Sequence, residues 1–184
     1  MKANISNLAY RPLISIDTRK LEVMNDILAK HYDIIWMIND AECNDIKKKA
    51  KLVAKYSKKY VITHNLGIID RDQYLAKNES IEAVCKYIQD KKNILINNGV
   101  LPQDIYFDIG LGCGKKAETV KHLLENIDTI KDNVKLKALV GHSRKSSILD
   151  LDKNTNIIEL DKATRKLSIE LEKNNIEIIR IHKI

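Results

Sequence analysis

The sequence predicts an α/β fold in which parallel strands alternate with helices around one core. Two observations support this: short apolar runs recur between amphipathic stretches, and each run ends on polar or charged residues. Strands rich in Ile, Val and Leu, with helices between them, are typical of a parallel sheet covered by helices. The predicted strands lie at residues 13–17, 33–39, 60–64, 105–109, 136–141 and 177–182.

The stretches between these runs have the spacing of helices buried on one face. Apolar residues recur every three or four positions, which places them on the same side of a helix. Two such sets are Val120, Leu123, Leu124, Ile127 and Ile130, and Leu160, Ala163, Leu167 and Leu171. The tract from about Gly67 to Leu101 is expected to contain only helix and loop.

Length and composition indicate a single domain over residues 1–184. A chain of this length with 44% hydrophobic residues can bury one core. No apolar run reaches the roughly 18 residues of a membrane span, and no secretory signal is recognisable after Met1. Cys43, Cys85 and Cys113 form no C-x-x-C pair, so we expect reduced thiols. A cytoplasmic protein that does not enter membranes is the expectation.

The net charge of +7 raises the question of a nucleic-acid partner. The positive charge is mostly lysine mixed with 25 acidic residues, as on a solvated helical surface. The lysine clusters at 47–51 and 58–59 lack the interleaved aromatic side chains on which single-stranded nucleic acids stack. We therefore expect no nucleic-acid partner, and a positive field that favours an anionic substrate.

The polar ends of the predicted strands are the candidate binding residues. In parallel α/β folds, ligands bind at the C-terminal edge of the strands, so these side chains are expected to converge on one pocket. Taken singly, each could instead be a buried histidine with satisfied partners, a surface charge or a helix cap. The set is Asp17, Thr18, Asn39, Asp40, His64, Asn65, Asp108, His142, Ser143, Arg144, Lys145, Arg180 and His182.

The segment IYFDIGLGCGK at 105–115 holds the best single candidate, Asp108. The strand delivers this carboxylate to its end, and glycines at 110, 112 and 114 then allow a sharp turn close to a ligand. The spacing G-x-G-x-G-K matches neither the dinucleotide nor the P-loop pattern, which argues against a nucleotide site. Cys113 is interpreted as a small buried side chain rather than a reactive thiol.

The candidate side chains divide into two chemical kinds. Carboxylates and an amide can bind a heterocycle whose edge is rich in hydrogen-bond donors, and cations can hold a phosphate. Arg180 and His182 fall on one face of the last strand, because alternate residues point the same way. A guanidinium there suits bidentate phosphate recognition. Arg144 and Lys145 add positive charge, although their loop could also be an exposed turn.

Five sequence motifs, in this order and spacing, resemble those of dihydropteroate synthase: SIDTRK (15–20), IND (38–40), DIGLGCGK (108–115), VGHSRKS (140–146) and RIH (180–182). The resemblance extends over nearly the whole chain. It implies a TIM-barrel transferase of folate synthesis that condenses (7,8-dihydropterin-6-yl)methyl diphosphate with p-aminobenzoate, giving 7,8-dihydropteroate and pyrophosphate. The implied partners are these two small molecules, and the implied cofactor is Mg²⁺.

The same resemblance assigns roles to individual residues. Asp108, Lys145 and Arg180 would be catalytic. The pterin would be bound by Asp17, Asn39, Asp108 and Lys145. The diphosphate would be held by Arg180 and His182, and Ser143 and Lys145 would lie toward p-aminobenzoate. The implied mechanism is dissociative: the diphosphate leaves first, the pocket stabilises a pterin-methyl cation, and the arylamine nitrogen attacks it.

The chain departs from the family most at its start. The family's first two β/α units have no counterpart here, so a partial TIM-like barrel with about six of eight units is expected, where a full barrel has about 250 residues. The domain at residues 1–184 would thus be N-terminally truncated. The family's metal-associated Asn loop lies in the missing part, so no metal ligand is assigned.

Smaller departures lie around the site itself. Ile109 stands where the family has proline, and Cys113 stands where it usually has an aromatic residue. Thr63 and Asn65 flank His64 where methionines are usual. We expect these changes to alter the fit of p-aminobenzoate or sulfonamides without abolishing pterin binding.

Three functional hypotheses remain open at this point. The first is a dihydropteroate synthase, completed by another chain or by self-association as a homodimer. The second is a truncated fragment, or remnant of a bifunctional folate-synthesis protein, that at most binds pterin. The third is another pterin-binding barrel, such as a folate-dependent methyltransferase. Methyl transfer has no diphosphate to hold, so the cations of the SRK and RIH motifs argue against the third.

Overall fold

The computed structural model describes residues 12–67, 74–145, 152 and 154–183. Six strands pair side by side in sequence order, and every pair is parallel. This confirms the predicted α/β architecture. The strands are β1 Ile14–Asp17, β2 Ile35–Asp40, β3 Lys59–Thr63, β4 Ile105–Asp108, β5 Lys137–Val140 and β6 Ile178–Ile179.

Helices connect the strands within the described residues. They are α1 Leu21–His31, α2 Ile46–Lys55, α3 Ser80–Asn97, α4 Ala117–Glu125, α5 Ile127–Val134 and α6 Ile157–Lys173, with short 3₁₀ turns at Lys77–Glu79 and Pro102–Asp104. None of the described helices is long and apolar enough to cross a membrane.

The apolar set around residues 120–130 forms two helices, α4 and α5, which meet at Asn126. The backbone of Asn126 leaves helical geometry, with φ −113° and ψ 22°. Its side-chain amide donates to the His122 carbonyl at 2.9 Å. Asparagine side chains compete with the helical ladder in this way, which explains the break.

The alternation of side chains along each strand separates two apolar layers. Ile38, Ile62 and Phe107 lie in the large core between the sheet and the helices. A smaller cluster covers the other face and contains Met37, Val61, Tyr106 and Leu139, with Trp36 and Ile178 packed against it. We call this second side the inner face, and the helix-covered side the outer face.

The last strand is much shorter than the predicted 177–182. At its start, the carboxylate of Glu177, rather than a backbone group, accepts the Ala138 N–H at 2.8 Å. After Ile179, one further ladder bond forms from the Arg180 N–H to the Val140 carbonyl at 2.9 Å. The His182 N–H then donates to the Ser143 hydroxyl at 3.1 Å, so the chain leaves the sheet.

The sheet is curled, and a single ion pair joins its two outermost strands. The Arg180 guanidinium, just after β6, pairs with the Asp17 carboxylate at the end of β1. No ladder joins β1 to β6 within the described part of the chain. The architecture is therefore a partial barrel whose two edges approach each other at the C-terminal ends of the strands.

Candidate functional site

A layer of polar side chains follows the inner apolar cluster at the C-terminal ends of the strands. Residues two positions apart on a strand point to the same face. The residue two positions after an inner apolar residue therefore also lies on the inner face. Because the strands are parallel, these side chains meet at one edge of the sheet. The layer comprises Asp17, Asn39, Thr63, Asp108 and Arg180, with Gly141 at the corresponding position after β5.

Asp108 is a buried carboxylate held by its own loop. Its Oδ1 accepts the Gly110 N–H at 2.7 Å. Burial raises the pKa of Asp108, while this hydrogen bond and the charges of Lys145, Arg180 and Lys115 oppose the rise. The carboxylate thus lies in a site of low dielectric constant, with cations around it and acceptor capacity for a ligand.

The loop after Asp108 requires glycine at one position for lack of space. Gly110 has a φ of +67°, and a Cβ there would lie 1.9 Å from the His64 carbonyl oxygen. Gly112 also has positive φ, +83°, but a Cβ there would meet nothing within 4 Å. The loop is therefore pressed against the end of β3 at Gly110, whereas Gly112 needs only conformational freedom.

Lys115, which is not among the candidate residues at the strand ends, holds this loop through a buried ammonium group. Its Nζ donates to the carbonyl oxygens of His64, Gly110 and Cys113 at 3.1, 3.0 and 3.1 Å. Burial lowers the pKa of Lys115 to about 8, with Lys145 adding to the effect. The only sequence signal for this role was its position at the end of the G-x-G-x-G-K motif.

Lys145 connects the loop after β5 to the glycine loop. Its Nζ donates to the Leu111 carbonyl at 2.8 Å. Burial lowers the pKa of Lys145, and the nearby charge of Asp108 works against this shift. The structure thus brings Lys145 close to Asp108, as the assignment of both to one site requires.

Asn39, Asp17 and Arg180 form a chain of contacts across the open side of the barrel. The Asn39 amide donates to Asp17 Oδ2 at 3.0 Å, and the Arg180 guanidinium donates to the same oxygen. Asn39 Oδ1 is buried and has no hydrogen-bond partner in the described part of the chain. A Cβ at Gly141 would lie 3.0 Å from Arg180 Nε, so glycine leaves room for the guanidinium.

A cavity of about 350 Å³ opens beside this chain of contacts. Its lining consists of Gly141, Ser143, Lys145, Arg180, Ile181 and His182. Ser143 Oγ and His182 Nδ1 lie 2.9 Å apart and share a hydrogen bond. The guanidinium and the ammonium group give the cavity the chemistry of an anion site.

Two strand-end residues expected in the pocket point the other way, toward the helices. Asp40 lies on the outer face and accepts hydrogen bonds from Lys49 Nζ, at 2.6 Å, and from the Tyr60 hydroxyl. The ring of His64 packs edge-on against Tyr87, with centroids 4.9 Å apart. Burial, with Lys115 nearby, lowers the pKa of His64 to about 3. The expectation was wrong for both because strand alternation places Asn39 and Thr63 inward instead.

Two residues of the loop after β5 also point away from the pocket, toward α6. His142 Nε2 lies 3.0 Å from the Thr164 carbonyl of α6 and is covered by that helix. Arg144 forms a two-pronged ion pair with Asp161, also on α6, at 2.7 and 3.1 Å. The expectation that His142 and Arg144 reach the pocket was wrong, because both side chains fix α6 to the sheet.

Thr18 holds a turn, and Asn65 joins its loop to the loop after β2. The Thr18 hydroxyl accepts the Lys20 N–H at 3.2 Å, and Asn65 bonds to the Ala41 carbonyl at 2.7 Å. The three cysteines are free thiols, as expected, and Cys113 is half-buried rather than fully enclosed.

The described residues do not fit a Mg²⁺ site by themselves. Within the described ranges, no group of three or more His, Cys, Asp or Glu side chains is arranged to hold a metal ion. Asp17 and Asp108 are the carboxylates of the inner polar layer, and Asp17 is ion-paired with Arg180.

Together, the fold and the site define a partial parallel (β/α) barrel with a polar layer and a cavity at its strand ends. Residues 3–182 match the family model described as pterin binding enzyme, and the chain belongs to this family. The family resemblance inferred from the motifs is thereby confirmed.

Individual relatives agree with this placement. The chain is 31% identical over 179 residues to a dihydropteroate synthase of Streptococcus pyogenes serotype M3, covering 95% of this chain and 63% of that protein. It is 27% identical over 176 residues to a folate synthesis bifunctional protein of Chlamydia trachomatis serovar D, covering 94% of this chain and 38% of that one. The chain therefore spans between about two-fifths and three-fifths of these relatives.

A solved structure has the same fold. The dihydropteroate synthase of Anaplasma phagocytophilum, with bound 6-hydroxymethylpterin-monophosphate, superposes with a TM-score of 0.83 at 27% identity, covering 94% of this chain and 67% of that chain. A dihydropteroate synthase of Xanthomonas albilineans with 4-aminobenzoic acid also gives 0.83, at 20% identity, covering 99% of this chain and 63% of that chain. The partial-barrel fold is that of these enzymes.

Proposed function

We propose that this chain provides the strand-end site of a dihydropteroate synthase. The reaction joins (7,8-dihydropterin-6-yl)methyl diphosphate to p-aminobenzoate and gives 7,8-dihydropteroate and pyrophosphate. One observation carries the proposal: an acceptor-rich inner layer with buried Asp108 lies beside a cation-lined cavity. A substrate with a donor-rich heterocycle at one end and a diphosphate at the other fits both parts.

The heterocycle side is formed by Asp17, Asn39 and Asp108. Their carboxylate oxygens and the free Oδ1 of Asn39 can accept the ring N–H and amino hydrogens of a pterin. Lys145 adds a donor at the same edge. The relative from Anaplasma phagocytophilum, which binds a pterin monophosphate, supports this assignment at 27% identity.

The diphosphate side is formed by Arg180 and His182, which line the cavity with Ser143. The Arg180 side chain is 48% exposed and can therefore meet an incoming anion. Ser143 holds the His182 ring through their mutual hydrogen bond. Ser143 and Lys145, on the same loop, form the side proposed for p-aminobenzoate.

In the proposed reaction, the bond between the pterin methylene carbon and the ester oxygen of the diphosphate breaks first. Its electron pair leaves with pyrophosphate, whose negative charge Arg180 stabilises. The resulting pterin-methyl cation lies near the Asp108 carboxylate, which favours the developing positive charge. The arylamine lone pair then forms the new C–N bond, and the nitrogen loses a proton. The protein contributes position and electrostatics rather than covalent chemistry.

The second part of the proposal is that another chain covers the open edges of the sheet. Within the described residues, β1 and β6 each have only one neighbouring strand, so each leaves one edge unpaired. A homodimer, or another chain that adds strands there, would cover these edges. Analytical ultracentrifugation of the purified chain tests the homodimer, which a monomer at micromolar concentration would contradict.

The function is tested by pyrophosphate release from the purified chain with both substrates and Mg²⁺ present. We expect turnover in the unaltered chain, and loss of it in Asp108→Asn. Asp128→Asn, an exposed aspartate on α5, is the matched control and should leave the rate unchanged. Binding of the pterin diphosphate without turnover would leave only a pterin-binding fragment. Absence of both would refute the proposal.

A further inference from the structure

The hydroxyl group of Thr63 is buried without a hydrogen-bond partner. Thr63 ends β3 and is 6% exposed. Its Oγ1 is buried and bonds to no group in the described part of the chain. Native proteins satisfy nearly all buried hydroxyls, because an unsatisfied one destabilises the folded state.

Three other buried hydroxyls of the described chain have partners on the outer face. Thr119 Oγ1 donates to the Leu75 carbonyl at 3.1 Å, and Ser80 Oγ donates to the Lys77 carbonyl at 2.7 Å. Thr164 Oγ1 accepts the Arg144 N–H at 3.1 Å. Each of these hydroxyls fixes a helix or loop, whereas that of Thr63 fixes nothing.

The position of Thr63 connects it to the ligand site. Val61, two residues earlier, lies in the inner apolar cluster, so Thr63 belongs to the polar layer above it. In the sheet register Thr63 is the partner of Asp108 on β4. Among the inner residues that the structure describes, Asn39 on the neighbouring strand also has an unpartnered buried atom. Two unused hydrogen-bonding atoms, on β2 and β3, therefore lie on one side of the β4 carboxylate proposed to bind the heterocycle.

We propose that the Thr63 hydroxyl is a specificity-determining group that hydrogen-bonds the bound heterocycle. This inference rests on the proposed function and adds one residue to its heterocycle side. A hydroxyl both donates and accepts hydrogen bonds, so it can bond to a donor or to an acceptor at the edge of a pterin ring. Its unsatisfied state in the free chain is then relieved on binding.

The test compares Thr63→Val, which keeps the shape and removes the hydroxyl, with Thr63→Ser, which keeps the hydroxyl. The Kd for 6-hydroxymethylpterin monophosphate is measured by calorimetry. We expect Thr63→Val to raise it about fivefold, the loss of roughly one hydrogen bond. Thr63→Ser should stay within about twofold of the unaltered chain. An unchanged Kd in Thr63→Val would overturn the inference.

A stability measurement separates a ligand-binding role from a structural one. Without ligand, Thr63→Val should unfold at the same or higher urea concentration, because the change removes an unsatisfied buried group. Thr164→Val is the matched control and should unfold earlier, because its hydroxyl has a partner. Earlier unfolding of Thr63→Val would also overturn the inference. If the unaltered chain binds no pterin, the proposed function fails, and this inference fails with it.

Discussion

Asp40 and Asp108 are both buried aspartates at the C-terminal ends of parallel strands, yet their surroundings differ. Asp40, on the outer face, accepts from Lys49, from the Tyr60 hydroxyl and from the Glu42 N–H. Asp108, on the inner face, accepts one hydrogen bond within the described chain, from the Gly110 N–H. Side chains of neighbouring elements hold the first, and its own backbone loop holds the second.

This difference distinguishes a structural carboxylate from one available to a ligand. The acceptors of Asp40 are used by the fold, so the residue fixes α2 against β2 and β3. The carboxylate oxygens of Asp108 accept only one hydrogen bond within the described chain. Burial makes unused acceptors unfavourable for the folded state. On the inner face, unused hydrogen-bonding capacity in a buried position therefore distinguishes Asp108 from Asp40, although both are aspartates at strand ends.

The largest expected effect comes from removing the structural carboxylate. Asp40→Ala leaves the Lys49 ammonium buried at 1% exposure without its partner, which should cost about 3–5 kcal/mol in the free energy of unfolding. Urea unfolding measures the loss. The double variant Asp40→Ala with Lys49→Met should recover part of this stability, because no unpaired charge is then buried at the site of the former ion pair. An unchanged stability in Asp40→Ala would remove the distinction between the two aspartates.

Asp108→Asn should do the opposite, reducing activity while sparing the fold. Loss of a preorganised electrostatic group should lower the rate of pyrophosphate release about 100-fold or more. Burial raises the pKa of Asp108, so the ionised form is destabilised in the folded chain, and the contribution of Asp108 to stability falls as pH rises above about 3.8.

The stability of Asp108→Asn at pH 7 should therefore equal or exceed that of the unaltered chain. Urea unfolding at pH 5 and pH 7, compared with Asp128→Asn, checks the sign. A large loss of stability in Asp108→Asn would mean that this carboxylate supports the fold as Asp40 does.

Two glycines test whether the loop holds Asp108 in place. Gly112→Ala should cost about 1 kcal/mol, because only the positive φ is unfavourable there. Gly110→Ala should add about 1–3 kcal/mol of overpacking, because its Cβ would collide with the His64 carbonyl. Only Gly110→Ala should also weaken pterin binding, since it moves the N–H that supports Asp108. Equal effects of the two changes on binding would contradict the role given to the loop.

The sequence predicted five of the six strands to within about two residues of their ends, and the glycine turn in full. It could not predict which of two adjacent polar residues faces the pocket. Strands buried on both faces are apolar almost throughout, so their pattern does not reveal which parity points inward. The sequence alone does not distinguish the inward from the outward residue in the pairs Asn39–Asp40 and Thr63–His64. Only the packing of the helices on the outer face shows which is which.

Two features of the site depend on contacts between distant segments. Lys115 appears in sequence as one more lysine of a basic protein, and its burial follows from carbonyls supplied by the loop and by His64. The short extent of β6 depends on Glu177 before its start and on Ser143 beyond its end, whose side chains replace ladder partners. No periodicity within a segment reports such contacts.

The smallest expected effect concerns the charge on Lys115, which holds the loop behind Asp108. Burial, then Lys145, lowers its pKa to about 8, while Cys113 and Asp108 act in the other direction. The ammonium form holds three carbonyls, so the rate of pyrophosphate release should fall several-fold as pH rises through about 8. Lys115→Arg keeps a positive charge above that pH and should move the fall to higher pH.

Stability should change with pH in the opposite direction. In the unfolded chain Lys115 keeps its ordinary pKa of 10.5, so between about pH 8 and that value only the unfolded state binds the proton. The contribution of Lys115 to the free energy of unfolding therefore rises with pH in this window. The difference between the unaltered chain and Lys115→Met, measured by urea unfolding at several pH values, isolates it from the tyrosines and cysteines. A loss of activity near pH 8 that persists in Lys115→Arg would assign the titration to another group, and Lys115 would then resemble Asp40 as a purely structural charge.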